Sequence, residues 1–245
     1  MNNFQGMKNM TDIERLAAQS MSVWEEWNGL GVSGRRALLG AWAENVSQRG
    51  GDFAFAAQMI RFHLQQAETL LEPVHDMPGP TGETNELYTA GRGLFLVTGD
   101  ESLTLSGLAG QLTAALVAGN CALVAVANVL RHETDALLAD LVKASAPNRL
   151  VLTTEFEKLD DVLQQAPIFG VAAIASEKRL IEINRILASR EGVLVQFVAE
   201  SNVEQLPLIA SPTYLLRFIT ERTRTINITA VGGNATLLEL GSGEH

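Results

Sequence analysis

The chain has 245 residues and carries 28 acidic against 18 basic side chains, for a net charge of −10. That length can bury a substantial core as one large domain or two small ones. No apolar run reaches the roughly 18 to 20 residues that a spanning helix needs, and the acidic balance repels phosphate backbones, so membrane and general nucleic-acid partners are excluded. The single cysteine, Cys121, rules out a disulfide framework and a thiolate-rich metal site. The first ten residues lack the basic and then apolar pattern of a signal peptide. A cytoplasmic address is expected, and the Asn-x-Ser/Thr matches at Asn45, Asn227 and Asn234 then carry no meaning.

In chain order, residues 1–72 read as helical. Ile13, Leu16, Ala17, Met21 and Trp24 recur at steps of three and four, and Thr11 with Glu14 forms a capping box in front of them. A turn is expected at 28–34, followed by a helix with Leu38, Leu39, Trp42 and Val46 on one side. Gly50, Gly51 and Asp52 stop it, and a third helix runs from Phe53 to about Leu71. Residues 73–92 crowd together three prolines and three glycines and read as a linker.

From Leu94 short apolar runs alternate with helical stretches, the pattern of a parallel sheet buried on both faces by crossover helices. Strands are expected at 94–98, 122–127, 149–153, 169–175 and 193–198, with helices at 106–118, 133–144, 156–164 and 178–189. The fold class is therefore α/β, a Rossmann-like doubly wound parallel sheet over 93–205. Residues 206–245 read as a C-terminal β-arm, with alternating stretches at 214–220 and 225–230 flanking a charged turn from Glu221 to Arg224; 212–218 is alternatively helical.

Candidate chemistry is sparse. Gly29, Gly31 and Gly34 fit G-x-G-x-x-G with Asp52 beyond, but a dinucleotide fingerprint follows a strand, and here helical residues precede it. Cys121 opens a buried strand and reads as a small hydrophobe. His63, His75, His132 and His245 show no metal-ligand spacing and read as surface or helix-end residues. Asp100 and Glu101 follow the first Rossmann strand, where such a fold binds its ligand; they would repel a pyrophosphate and read as solvated loop charge. No catalytic, cofactor or metal ligands are assigned.

The runs GPTGETN at 79–85 and NITAVGGNATLLEL at 227–240 resemble the end of the proline utilization A (PutA) family. These are bifunctional flavoproteins that oxidise proline to pyrroline-5-carboxylate and then, in an aldehyde dehydrogenase module, to glutamate. The likeness is strongest to the C-terminal, aldehyde-dehydrogenase-like domain of the long PutA forms. Ala118, Gly119 and Asn120 supply the A-G-N turn of that fold. In the same register the family's P-W-N-F-P loop falls on 100–104, with Ser102 at the position of the oxyanion-holding Asn. The ribose-gripping Lys and Glu of K-P-x-E become Ala125 and Asn128, and the G-S-T-E turn becomes Ala175, Ser176, Glu177 and Lys178.

The stretch between the last Rossmann strand and Thr225 also leaves no room for the domain that bears the attacking thiolate. Cys121 is misplaced to replace that thiolate, and Glu200 is not taken as the general base. The resemblance thus implies a non-catalytic relative of 1-pyrroline-5-carboxylate dehydrogenase, acting in proline catabolism with no cofactor. Its C-terminal arm would bind a PutA-type partner or a second copy of itself through Asn227, Thr229, Gly232, Gly233 and Asn234. The alternative is a reduced NAD-dependent pyrroline-5-carboxylate dehydrogenase with residual nucleotide binding. A third is a self-associating dimer that takes another nucleotide or metabolite at the strand ends.

Overall fold

A computed structural model describes residues 10–80 and 82–227. Helix α1 (Asp12–Met21) opens with the expected capping box: the Thr11 hydroxyl accepts from the Glu14 amide and the Glu14 carboxylate accepts from the Thr11 amide. Two helices follow, α2 (Trp24–Gly29) and α3 (Gly31–Ser47), so the turn expected at 28–34 shrinks to Leu30. One residue suffices because Gly31 adopts φ +65°, a conformation that redirects the chain without strain only where no Cβ is present. Helix α4 (Asp52–Leu70) completes the helical layer.

The stretch read as a linker instead holds two strands, β1 (His75–Met77) and β2 (Glu83–Gly91). They form an antiparallel three-stranded sheet in the order β1-β2-β8, with β8 at Ile219–Asn227. The arm is therefore not a hairpin of its own. Residues 221–224 lie in the middle of a strand whose partner is β2, in a register that sets Glu86 opposite Arg224 and Tyr88 opposite Arg222. The residues before it, Tyr214–Phe218, form a 3-10 helix, the other reading of that stretch.

The second sheet is parallel throughout, in the order β5-β4-β3-β6-β7, with β3 Leu94–Gly99, β4 Cys121–Ala125, β5 Val151–Thr153, β6 Gly170–Ile174 and β7 Gln196–Glu200. Its crossovers are α5 (Leu105–Val117), α6 (Arg131–Lys143), α7 (Leu159–Gln165, entered through a 3-10 turn at Phe156–Lys158) and α8 (Glu177–Ala188). β3, β4 and β6 are wholly buried, as their unbroken Leu, Val and Ala runs require of a sheet covered on both faces.

The helices belong to the same core as the sheet, because Ala17, Trp27, Trp42 and Ile60 share one hydrophobic cluster with Leu96, Val124 and Ile174. Polar bonds pin the layers together. Trp27 Nε1 donates to the Leu116 carbonyl (2.9 Å), Trp24 Nε1 to that of Gly119 (2.9 Å), Arg35 Nε to that of Val117 (3.0 Å) and Trp42 Nε1 to that of Leu137 (2.9 Å). Three of these four satisfy carbonyls at the end of α5, which have no partner within the helix.

Candidate functional site: the crevice at the strand ends

Strand order reverses between β3 and β6, and in an open parallel sheet the ligand crevice lies beyond the carboxyl ends of the strands flanking that reversal. Here it is a cleft of about 550 Å³ lined by Asp100, Glu101, Ser102, Ser176, Lys178 and Arg179, among others. Asp100 and Glu101 lie where the sequence placed them, but Asp100 is not free loop charge. Its Oδ1 accepts from the Ser102 amide (3.0 Å) and hydroxyl, and its Oδ2 accepts from the Ser176 amide at 2.7 Å. Burial raises the pKa of this carboxyl, and the donations from Ser102 and Ser176 outweigh it, holding the group below the usual carboxylate range.

Ser176 is the N-cap of α8, so the carboxylate faces the end of the helix where an incoming anion would otherwise sit. A pyrophosphate brought to this point would meet Asp100, with Glu101 and Glu182 in the same cleft. Ser102, at the position of the family's oxyanion donor, spends its hydroxyl on Asp100. Ala125 ends β4, and Asn128 begins a short 3-10 turn. The residues present do not suit a dinucleotide.

The other candidates lie elsewhere. Cys121 is fully buried at the first residue of β4, the opposite end of the sheet from the crevice. Burial pushes its thiol up to about 12 despite a hydrogen bond with Ser20, so it is a thiol rather than a thiolate at neutral pH. Glu200 closes β7 and is buried; its Oε1 accepts from the Asn202 amide (2.9 Å) and its Oε2 from the Leu208 amide (2.7 Å), which ties down the loop leading to the arm. Among the described residues no group of three or more His, Cys, Asp or Glu is placed to hold a metal ion.

His63 departs from its expected place at the surface. It is fully buried in α4, with neither ring nitrogen hydrogen-bonded among the described residues. Of the five interface candidates, Asn227 closes β8 opposite Glu83; Thr229, Gly232, Gly233 and Asn234 lie outside the described residues.

Sequence reasoning missed the role of Asn120. Its Oδ1 accepts from the amides of Arg92 (2.7 Å) and Gly93 (3.1 Å), and its Nδ2 donates to the carbonyls of Ala115 (3.0 Å) and Phe218 (2.9 Å). One side chain thus joins the end of α5, the start of β3 and the foot of the arm. The A-G-N turn was visible as a motif, but apart from Ala115 its partners, Arg92, Gly93 and Phe218, lie too far away in the chain to read from spacing.

A doubly wound parallel sheet with this crevice is the aldehyde dehydrogenase type of Rossmann fold. The NAD-dependent benzaldehyde dehydrogenase of Corynebacterium glutamicum superposes on 77% of this chain and 46% of its own at a TM-score of 0.67, with 14% identity, a likeness of fold alone. Closer in sequence is PutA. The bifunctional protein PutA of Rhizobium meliloti is 32% identical over 170 residues, 68% of this chain and 12% of that protein. That of Salmonella typhimurium is 30% identical over 166 residues, 67% of this chain and 11% of its own.

A mutant of Bradyrhizobium japonicum PutA aligns at a TM-score of 0.69 and 26% identity, over 76% of this chain and 21% of that one. The chain is therefore homologous to a segment of PutA and is a PutA-like, aldehyde-dehydrogenase-type domain, spanning about an eighth of the length of the curated relatives it matches. No family model matches it. Among the described residues no helix is long and apolar enough to cross a membrane.

Proposed function

We propose that the chain is a non-catalytic relative of 1-pyrroline-5-carboxylate dehydrogenase that serves proline catabolism in the cytoplasm as a binding and stabilising module. Its partner is a PutA-type polypeptide or a second copy of itself, engaged through the arm that β8 begins. The observation that carries this reading is the Asp100 carboxylate seated on the Ser176 amide. It puts a negative charge at the point of the crevice where a dinucleotide would need a donor, while the one thiol lies buried at the other end of the sheet. A fold that keeps its core yet sets a carboxylate in its own crevice has surface left to work with. The arm offers β8 at the edge of a sheet, and an edge strand can extend into a neighbouring one.

The test mixes the purified chain with a PutA from which the corresponding segment has been removed. A complex on sizing chromatography, with faster or longer-lived conversion of proline to glutamate, is the expected result. Absence of both a complex and a change in flux, together with a monomeric chain, would sink the proposal. Calorimetric titration with NAD provides the second arm: no heat of binding is expected, and micromolar affinity would restore the reading of a reduced NAD-dependent dehydrogenase.

A further inference from the structure

Between the N-terminal helices and the three-stranded sheet runs an open groove of about 490 Å³, walled by Trp24, Glu25, Asn28 and Arg35 on one side and by Tyr88 and Arg222 on the other. It adjoins the A-G-N turn, at the end of the parallel sheet opposite the crevice, because Trp24 and Asn28 both reach the Gly119 carbonyl. Arg35 is only 3% exposed. Its Nε and one terminal nitrogen donate to the carbonyls of Val117 and Asn28, and among the described residues no carboxylate reaches it. Burial, the only cause acting on it, lowers its guanidinium to about 10, the mark of a desolvated cation without a counter-ion.

Arg35 is the one buried arginine among the described residues. Arg36, Arg49 and Arg179 each have a carboxylate partner. Arg222 likewise has no ion pair among the described residues. The end of α5 offsets part of the Arg35 charge, since a cation is favoured at a helix C-terminus. That leaves donors over, because a guanidinium offers five N–H groups in a planar fork suited to a carboxylate. The remaining chemistry of the groove is complementary. Trp24 has spent its N–H on the Gly119 carbonyl and presents a ring wall, Tyr88 supplies a second, and Glu25 is the one acid in the lining.

We propose that this groove binds a small apolar amino acid as a zwitterion, its carboxylate on Arg35 and Arg222, its ammonium beside Glu25 and its side chain between Trp24 and Tyr88. The groove, at about 490 Å³, has room for such a ligand. The placement, at the base of the arm, is independent of the crevice and of any PutA partner.

Calorimetry on the full chain with L-proline, L-valine and L-leucine tests it, with isovalerate and isoamylamine as probes lacking the amine or the carboxylate. Saturable binding of at least one amino acid is expected, with both analogues weaker by about tenfold or more, the loss that follows from removing one charge-assisted contact. Arg222→Glu, on an exposed strand, should weaken the amino acid by a similar factor. Glu25→Gln should weaken the amino acid while leaving isovalerate unchanged, so the two variants report on different ends of the ligand. No saturation by any amino acid, equal binding of isovalerate, or affinity unmoved in Arg222→Glu would each overturn the proposal.

Discussion

His63 lies between aromatic rings, its centroid 5.2 Å from that of Phe62 and 5.4 Å from that of Tyr214. With no hydrogen-bond partner for either nitrogen among the described residues, the neutral imidazole is the form this site tolerates, and burial lowers its pKa to about 4 from an ordinary 6.5. The sign of the consequence is fixed. Above pH 6.5 neither the folded nor the unfolded chain is protonated there and the residue adds no pH dependence. As pH falls from about 6.5 to about 4 the unfolded chain takes up the proton first, so stability is lost across that window, reaching about 3 kcal/mol. His63→Phe should flatten this limb by about one proton, and denaturant melts of both proteins at pH 7, 5.5 and 4.5 will show it. An unchanged slope would mean that His63 is protonated inside the fold.

At the scale of elements, helix α5 ends against its neighbours and not in water. Carbonyls of Leu116, Val117 and Gly119 accept from Trp27, Arg35, Trp24 and Asn28, and the chain leaves through Gly119 at φ +93°. A Cβ at Gly119 would meet the Asn28 side-chain oxygen at 2.6 Å, so both conformation and space demand glycine there. Asn120 carries the next four bonds, and Asn120→Ala strands the amides of Arg92 and Gly93 and the Phe218 carbonyl in the interior, while the Ala115 carbonyl keeps the backbone amide of residue 120. The expected cost is about 3 kcal/mol, a fall in Tm of roughly 6–12 °C for a domain of this size. A shift under 2 °C by calorimetry would show that water or relaxation replaces these bonds.

What could be read from the sequence divides along the same line. The capping box of Thr11 and Glu14 spans three residues, and the apolar runs of β3, β4 and β6 announce their own burial, so both were legible. β2 was not, because Pro78, Gly79, Pro80 and Gly82 precede it and its partner strand begins at Ile219. His63 and Asp100 owe their roles to contacts from distant segments, the latter to Ser176, which lies 76 residues on. No local pattern encodes such a meeting.

For the molecule as a whole, one core runs from Ala17 in α1 to Ile219 in β8. The N-terminal helices are thus a wall of the Rossmann unit, and removing residues 1–72 would expose the face of α5 that packs on α4 and the indole-bonded carbonyls at its end. The truncated chain is expected to give no cooperative thermal transition, whereas the full chain unfolds in a single step. Calorimetry of both decides it, and a sharp independent transition in the fragment would mean that the helices are a separable domain.

The sheet that carries the arm also sets a timetable. Glu86 and Arg224, opposite one another, are 138 residues apart in the chain. At about 5–20 residues per second, the ribosome releases β2 roughly 7 to 28 seconds before β8. Through that interval β2, already lined on one side by β1, holds a nine-residue backbone edge open to whatever else is being made nearby. Chaperones, and any companion polypeptide translated from the same message, have their widest opportunity to engage this protein then, before its own strand arrives to close the gap.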